Sequence, residues 1–123
     1  MERRVVITGL GALTPIGNNP YDFWNGIKEG KCGIDEITRF DISNFKVKLA
    51  AEVKDFNAED YFDRREAKRL DRFSQYAMVA AREAWKDSGL DKETENMERV
   101  GIIIGSGIGG IGTTEEEHEK YMT

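Results

Sequence analysis

The chain has 123 residues, 39% hydrophobic and 33% charged, which is the makeup of one globular domain and not of a disordered or fibrous chain. Its net charge of -5 argues against general nucleic-acid binding, which wants a basic surface, and no apolar run approaches the roughly 20 residues of a membrane span. One cysteine excludes an internal disulfide and fits a reducing cytoplasm, and one cysteine with one histidine excludes a Cys/His zinc site within the chain.

The start, "MERRVVITGLG", is charged and then briefly apolar, without the long h-region or small-residue cleavage site of a signal peptide. Residues 3–8 predict a strand, because Val5, Val6 and Ile7 are contiguous and β-branched, as in a strand buried on both faces. The Gly/Pro turn "GLGALTPIG" follows. Asn19 then has the place of a helix N-cap, with Pro20 at the first helical position and Asp22 at N3; Phe23, Trp24 and Ile27 share a face, and Gly30 stands where the helix would end. A loop of mixed polarity is expected over residues 35–44. "VKLAAEV" alternates, with Val47, Leu49, Ala51 and Val53 on one face, and predicts a half-buried strand.

Residues 57–60 suit a short helical turn. Asp63 followed by Glu66 resembles a capping box and would open a helix through "RREAKRLDRF". The strongest helix spans residues 71–88: Phe73, Ala77, Ala80, Ala81 and Ala84 keep a helical period, while Met78, Val79 and Trp85 widen the apolar arc, which predicts burial on most sides and close packing along the alanines. Gly89 with Leu90 suits a Schellman stop. After a polar loop, residues 99–104 predict a second continuous apolar strand, then a glycine turn, then a helix from Thr113 or Thr114. The order implies an α/β class with parallel strands. Two strands built for burial on both faces cannot make a covered sheet by themselves, so the chain is expected to open a larger fold, as one unit over residues 1–123 with no internal boundary.

Gly105, Gly107 and Gly110 fit the G-x-G-x-x-G of a dinucleotide-binding turn. The acidic residue expected about 20 positions on would fall beyond Thr123, and Glu115, Glu116 and Glu117 would occupy the field a pyrophosphate needs. The glycines are better read as letting backbone approach backbone, or as bending a loop around an apolar ligand that Ile108 and Ile111 would face. A second candidate is basic. Arg65, Lys68, Arg69 and Arg72 stand at i, i+3, i+4 and i+7, a stripe on one helix, and residues 63–72 hold five positive and three negative side chains, a net of +2. The stripe is either a solvated face with Asp63, Glu66 and Asp71 as local partners or a docking patch for an acidic partner.

Together "RRVVITGLGALTPIGN", "KDFNAEDYFDRREAKRLDRFSQYAMVAAREAWKDSGL" and "VGIIIGSGIGGIGTTEEEHEKYMT" resemble, in order and spacing, the N-terminal segment of the β-ketoacyl-acyl-carrier-protein synthases, type II condensing enzymes of fatty-acid elongation. The resemblance covers the chain from Arg3 onward. It implies the thiolase-like layered fold (αβαβα), of which this would be the first part of the N-terminal half, and a homodimer. It also implies acyl transfer from carrier-protein thioester to an active-site cysteine, then decarboxylative condensation with malonyl-carrier protein, with no cofactor and no metal. By the same resemblance Ile108 helps close the far end of the acyl pocket, and Arg65, Lys68 and Arg69 contact acyl carrier protein at its mouth.

The nucleophilic cysteine and two histidines of that family lie beyond Thr123, so no catalytic residue is assigned here and the segment alone is expected to be inactive. Cys32 in "GKCGI" follows a helix C-terminus, where the dipole disfavours a thiolate, and His118 stands among Glu116, Glu117 and Glu119 on a charged helix. Two other readings stay open: a non-catalytic, ketosynthase-like module that docks carrier protein, and a nucleotide-binding α/β domain. The first would be told apart by the residue found at the nucleophile turn after Thr123, the second by titration with NAD or ATP.

Overall fold

A computed structural model describes residues 3–123. Its elements in chain order are α1 (Pro20–Lys28), β1 (Ile34–Glu36), β2 (Leu49–Ala51), a 3-10 turn (Ala58–Asp60), α2 (Arg64–Arg69), α3 (Arg72–Ser88), a second 3-10 turn (Met97–Arg99) and α4 (Ile111–Met122).

The helix ends follow their capping chemistry. Asn19 Oδ1 accepts from the Asp22 N–H at 2.8 Å, with Pro20 in the first turn of α1, and Asn57 caps the first 3-10 turn. Asp63 accepts from the N–H groups of Arg65 and Glu66 at 2.8 and 2.9 Å and opens α2. Gly89 closes α3 with φ 68°, a left-handed conformation that L side chains rarely adopt.

The expected helix through "RREAKRLDRF" is broken. Leu70 (φ -100°, ψ 126°) and Asp71 (φ -58°, ψ 152°) turn the chain between α2 and α3. The corner is held by Gln75 of α3, only 8% exposed, whose side-chain amide donates to the carbonyls of Ala67 and Leu70 at 2.9 and 3.0 Å. Those carbonyls belong to the end of α2, where no intrahelical donor reaches them.

α3 is the spine of the segment. The stretch around Gly9 and Gly11 runs across its alanines: a Cβ at Gly9 would collide with the Ala84 carbonyl and the Ser88 backbone, and one at Gly11 with the Ala80 carbonyl. This is the close packing foreseen for the alanine face. The same stretch gives its backbone to α3, with the Leu10 N–H donating to Asp87 at 2.9 Å and the Ala12 N–H to Glu83 at 3.0 Å. Beneath lie Phe62 and Val79, 5% and 6% exposed, with the Arg82 guanidinium 4.8 Å above the Phe62 ring. Phe56, Tyr61 and Tyr76 form an aromatic cluster beside them. Of the α3 residues only Gln75 and Val79 are buried and most of the others are half-buried, so the helix is covered less fully than the expected burial on most sides.

The described ladder also differs from expectation. β1 and β2 pair antiparallel, with Ile34 opposite Ala51 and Glu36 opposite Leu49, so part of the predicted loop over residues 35–44 is strand, and the pairing is not parallel. The connection over residues 37–48 holds no helix to serve as a crossover, and antiparallel strands need none. Val47, Leu49 and Ala51 are exposed, while Ala50, Glu52 and Val53 are half-buried, so burial alternates from Leu49 to Glu52 but with Leu49 and Ala51 outward. Neither expected buried strand forms a ladder among the described residues. Val5, Ile7, Ile102 and Ile103 are exposed, Ile103 almost completely at 99%. A ladder needs a hydrogen-bonded neighbour, and among the described residues no backbone–backbone hydrogen bond involves residues 3–8 or 101–106.

Candidate functional site

The basic face is built on α2. Arg65, Lys68 and Arg69 share the helix and are all exposed; Lys68 and Arg69 lie in its last turn, where cations suit the negative end. Arg72 belongs to α3, beyond the break, with its guanidinium 5.9 Å from the Phe56 ring centre, so the four-residue stripe is three residues on one helix and a fourth on the next.

The three acids that could have neutralised this face are used elsewhere. Asp63 caps α2. Glu66 pairs with Arg82 of α3 at 3.5 Å. Asp71 accepts a hydrogen bond from the Thr113 hydroxyl of α4. Among the described residues Arg64, Arg65, Lys68 and Arg69 make no salt bridge and no side-chain hydrogen bond. The face therefore presents uncompensated positive charge in a chain of net charge -5.

The glycine turn leads into α4. The helix begins at Ile111, earlier than expected, with Gly110 as its N-cap, so Glu115, Glu116 and Glu117 fall after the first turn and not within it. The carboxylate at this helix end comes instead from Asp71, which stands against Gly110 where a Cβ would be. An anion is already in the field a phosphate would need, so the turn is not an open phosphate cradle. Gly109 has φ 84°, and the edge of the Phe73 ring lies 3.6 Å from where its Cβ would stand. Asp71, Arg72, Phe73, Gly110 and Thr113, with Arg39, line one groove between the α2–α3 corner and the turn. Ile108 does not line this groove and is 80% exposed, with Ile111 exposed nearby; Arg65, Lys68 and Arg69 do not line the groove either.

The remaining candidates stay on the surface. The Cys32 thiol is exposed and lies 3.9 Å from the Ile34 carbonyl oxygen. His118 is exposed in α4. Among the described residues no cluster of His, Cys, Asp or Glu could hold a metal ion, and no helix is long and apolar enough to cross a membrane.

Beside β2, Glu52 accepts from the Thr38 hydroxyl at 2.7 Å, and this bond above all, with Arg39 at 3.8 Å, holds its carboxyl below the ordinary glutamate range. Arg39 in turn donates to the Tyr76 hydroxyl at 3.0 Å, fastening the β1–β2 pair to α3. Sequence reasoning missed the roles of Gln75 and Asp71. Gln75 is a polar residue on a helix turn next to apolar positions, a signal that could have marked it as buried. Asp71 and Thr113 are 42 positions apart, and nothing local joins them.

Residues 2–123 match the family described as "Beta-ketoacyl synthase, N-terminal domain". The chain is 53% identical over 121 residues to 3-oxoacyl-[acyl-carrier-protein] synthase 2 of Staphylococcus aureus (strain COL), covering 98% of this chain and 29% of that protein. It is 47% identical over 122 residues to the protein of the same name from Coxiella burnetii, covering 99% and 30%. Among solved structures it superposes on the ishigamide ketosynthase/chain length factor with a TM-score of 0.77 and 30% identity, over 98% of this chain and 31% of that one. It superposes on a ketosynthase bound to the hexaketide, in complex with its type II PKS acyl-carrier protein, with a TM-score of 0.76 and 32% identity, over 98% and 32%. The chain thus spans about 29% of the Staphylococcus relative's length. The fold is the thiolase-like fold of that domain, and the chain belongs to the β-ketoacyl synthase family.

Proposed function

We propose that the full-length protein carrying this segment is a 3-oxoacyl-acyl-carrier-protein synthase of fatty-acid elongation, working as a cytoplasmic homodimer, and that residues 1–123 supply its carrier-docking face and part of its acyl pocket. In the reaction, an enzyme thiol takes the acyl group from a carrier thioester and releases the carrier thiol. Malonyl-carrier then loses carbon dioxide, and the resulting carbanion attacks the acyl-enzyme carbonyl and expels the enzyme thiol. The groups that perform these steps are not among the residues here. The contribution of this segment is to bring the carrier to the pocket and to shape the wall at Ile108.

The observation that carries the docking reading is the unneutralised face of α2. A solvated helix face would pair Asp63, Glu66 and Asp71 with its cations, yet Glu66 and Asp71 are engaged with Arg82 and Thr113, and Asp63 caps the N–H groups of Arg65 and Glu66. Exposed Arg65, Lys68 and Arg69 suit an acidic helical partner: charges at the rim speed encounter and set orientation while allowing quick release, which turnover requires. The named relatives act with acyl carrier protein or were solved with one, which favours the same partner.

The test is the double substitution Lys68→Ala and Arg69→Ala in the full-length protein. The expected result is a roughly tenfold rise in KM for carrier-borne substrate, a weaker salt dependence and a smaller change in kcat. Carrier kinetics and salt dependence equal to those of the unsubstituted protein would reduce the face to a solvated surface.

A further inference from the structure

We propose that Asp71 is a positioning residue: its carboxylate latches the glycine turn and the start of α4 onto the corner between α2 and α3, and so determines where Ile108 stands.

Asp71 occupies the N-cap of α3 in extended backbone, the place from which a short carboxylate ordinarily turns back to cap its own helix, and it makes no such bond. It accepts instead from the Thr113 hydroxyl in the first turn of α4. Gly110, the N-cap of α4, has no side chain of its own, and no described side chain hydrogen-bonds the first N–H groups of that helix, so the Asp71 carboxylate acts there through the Thr113 hydroxyl and as a negative charge beside the helix start. The fit is reciprocal. The carboxylate lies where any side chain at residue 110 would begin, so glycine there is what admits Asp71 to the positive end of a 12-residue helix. Phe73, two residues on, lies against Gly109, so the turn rests on two side chains from the start of α3. The base of the latch is itself fixed, since buried Gln75 ties α3 to the end of α2. Ile108 adjoins Gly109 within a turn closed locally by the Gly109 N–H donating to the Ser106 hydroxyl at 3.1 Å, and that turn meets α3 through Asp71 and Phe73. Its position therefore depends on where Asp71 and Phe73 hold the turn.

The specificity consequence rests on the acyl-pocket reading of Ile108; the latch does not. In the full-length protein, Asp71→Ala and Thr113→Val are each expected to raise amide hydrogen exchange over residues 105–114 by roughly tenfold or more, the loss expected for a hydrogen bond to a charged group. Exchange in α3 should stay unchanged, and Asp71→Asn, which keeps an acceptor oxygen, should restore most of the protection. The same two variants should lower the kcat/KM ratio between a preferred acyl chain and one two carbons longer by severalfold, with KM for the carrier unchanged. Unaltered exchange over 105–114 in the Thr113→Val variant would overturn the latch. Faster exchange there with an unaltered chain-length ratio would overturn the link to Ile108. A full-length protein with the latch but no condensing activity would overturn the functional reading and leave the latch standing.

Discussion

The corner between α2 and α3 and the two extended apolar segments treat their backbone in opposite ways. At the corner much of the backbone and charge is tended within the segment: Asp63 caps one helix, Gln75 takes two end carbonyls, Asp71 reaches the Thr113 hydroxyl, and Glu66 pairs with Arg82. Residues 3–8 and 101–106 make no backbone–backbone hydrogen bond among the described residues and expose Val5, Ile7, Ile102 and Ile103. A helix closes its hydrogen bonds along its own length and needs only its ends tended, whereas a strand is incomplete until a neighbour arrives. The corner is thus tended locally, whereas the apolar segments leave backbone groups and side chains without partners among the described residues.

The sharpest way to break this contrast is Ile103→Asp, made both in the isolated segment and in the full-length protein. In the isolated segment the side chain is already in water, and the substitution should leave solubility the same or better, with no cooperative melt before or after it. In the full-length protein it should cost roughly 3 kcal/mol or more and sharply reduce soluble yield, because the charge enters a covered sheet. A cooperative melt of the unsubstituted 123-residue segment from a monodisperse solution would remove the distinction.

Gln75→Ala tests the tended side of the comparison. Leaving the Ala67 and Leu70 carbonyls without their donor should lower full-length stability by about 1–2 kcal/mol and raise amide exchange in α2 ahead of α3. Equal exchange in both helices would mean that the corner is not held there.

The smallest effect concerns Glu52, whose carboxyl is held below its usual value chiefly by the Thr38 hydroxyl. A depressed folded-state pKa contributes stability above the ordinary glutamate value and loses it as pH falls through the folded value. The Glu52 side chain followed by NMR should titrate below an unpaired glutamate, and Thr38→Val should move its midpoint back up. An unchanged midpoint would show the hydroxyl to be uninvolved.

Helix caps were legible in the sequence because they act over two or three residues: Asn19 with Asp22, Asp63 with Arg65 and Glu66, and Gly89 after Ser88 all stand as spacing alone indicated. The break at Leu70 was not legible, because the positions around it keep a helical period and the group that stabilises the turn comes from buried Gln75. The basic cluster was visible, but not whether its acids would neutralise it. That depended on Arg82 and Thr113, which lie far along the chain.

By itself the sequence determined that the helices exist, several of their caps, the family and the existence of two candidate sites, because capping, periodicity and motif spacing are properties of neighbouring residues. Only the tertiary structure decided that the cations of α2 stand unpaired, that β1 and β2 run antiparallel with Leu49 and Ala51 outward, and that an aspartate occupies the glycine turn. Each of these is set by which distant groups meet, and a short-range pattern carries no record of that.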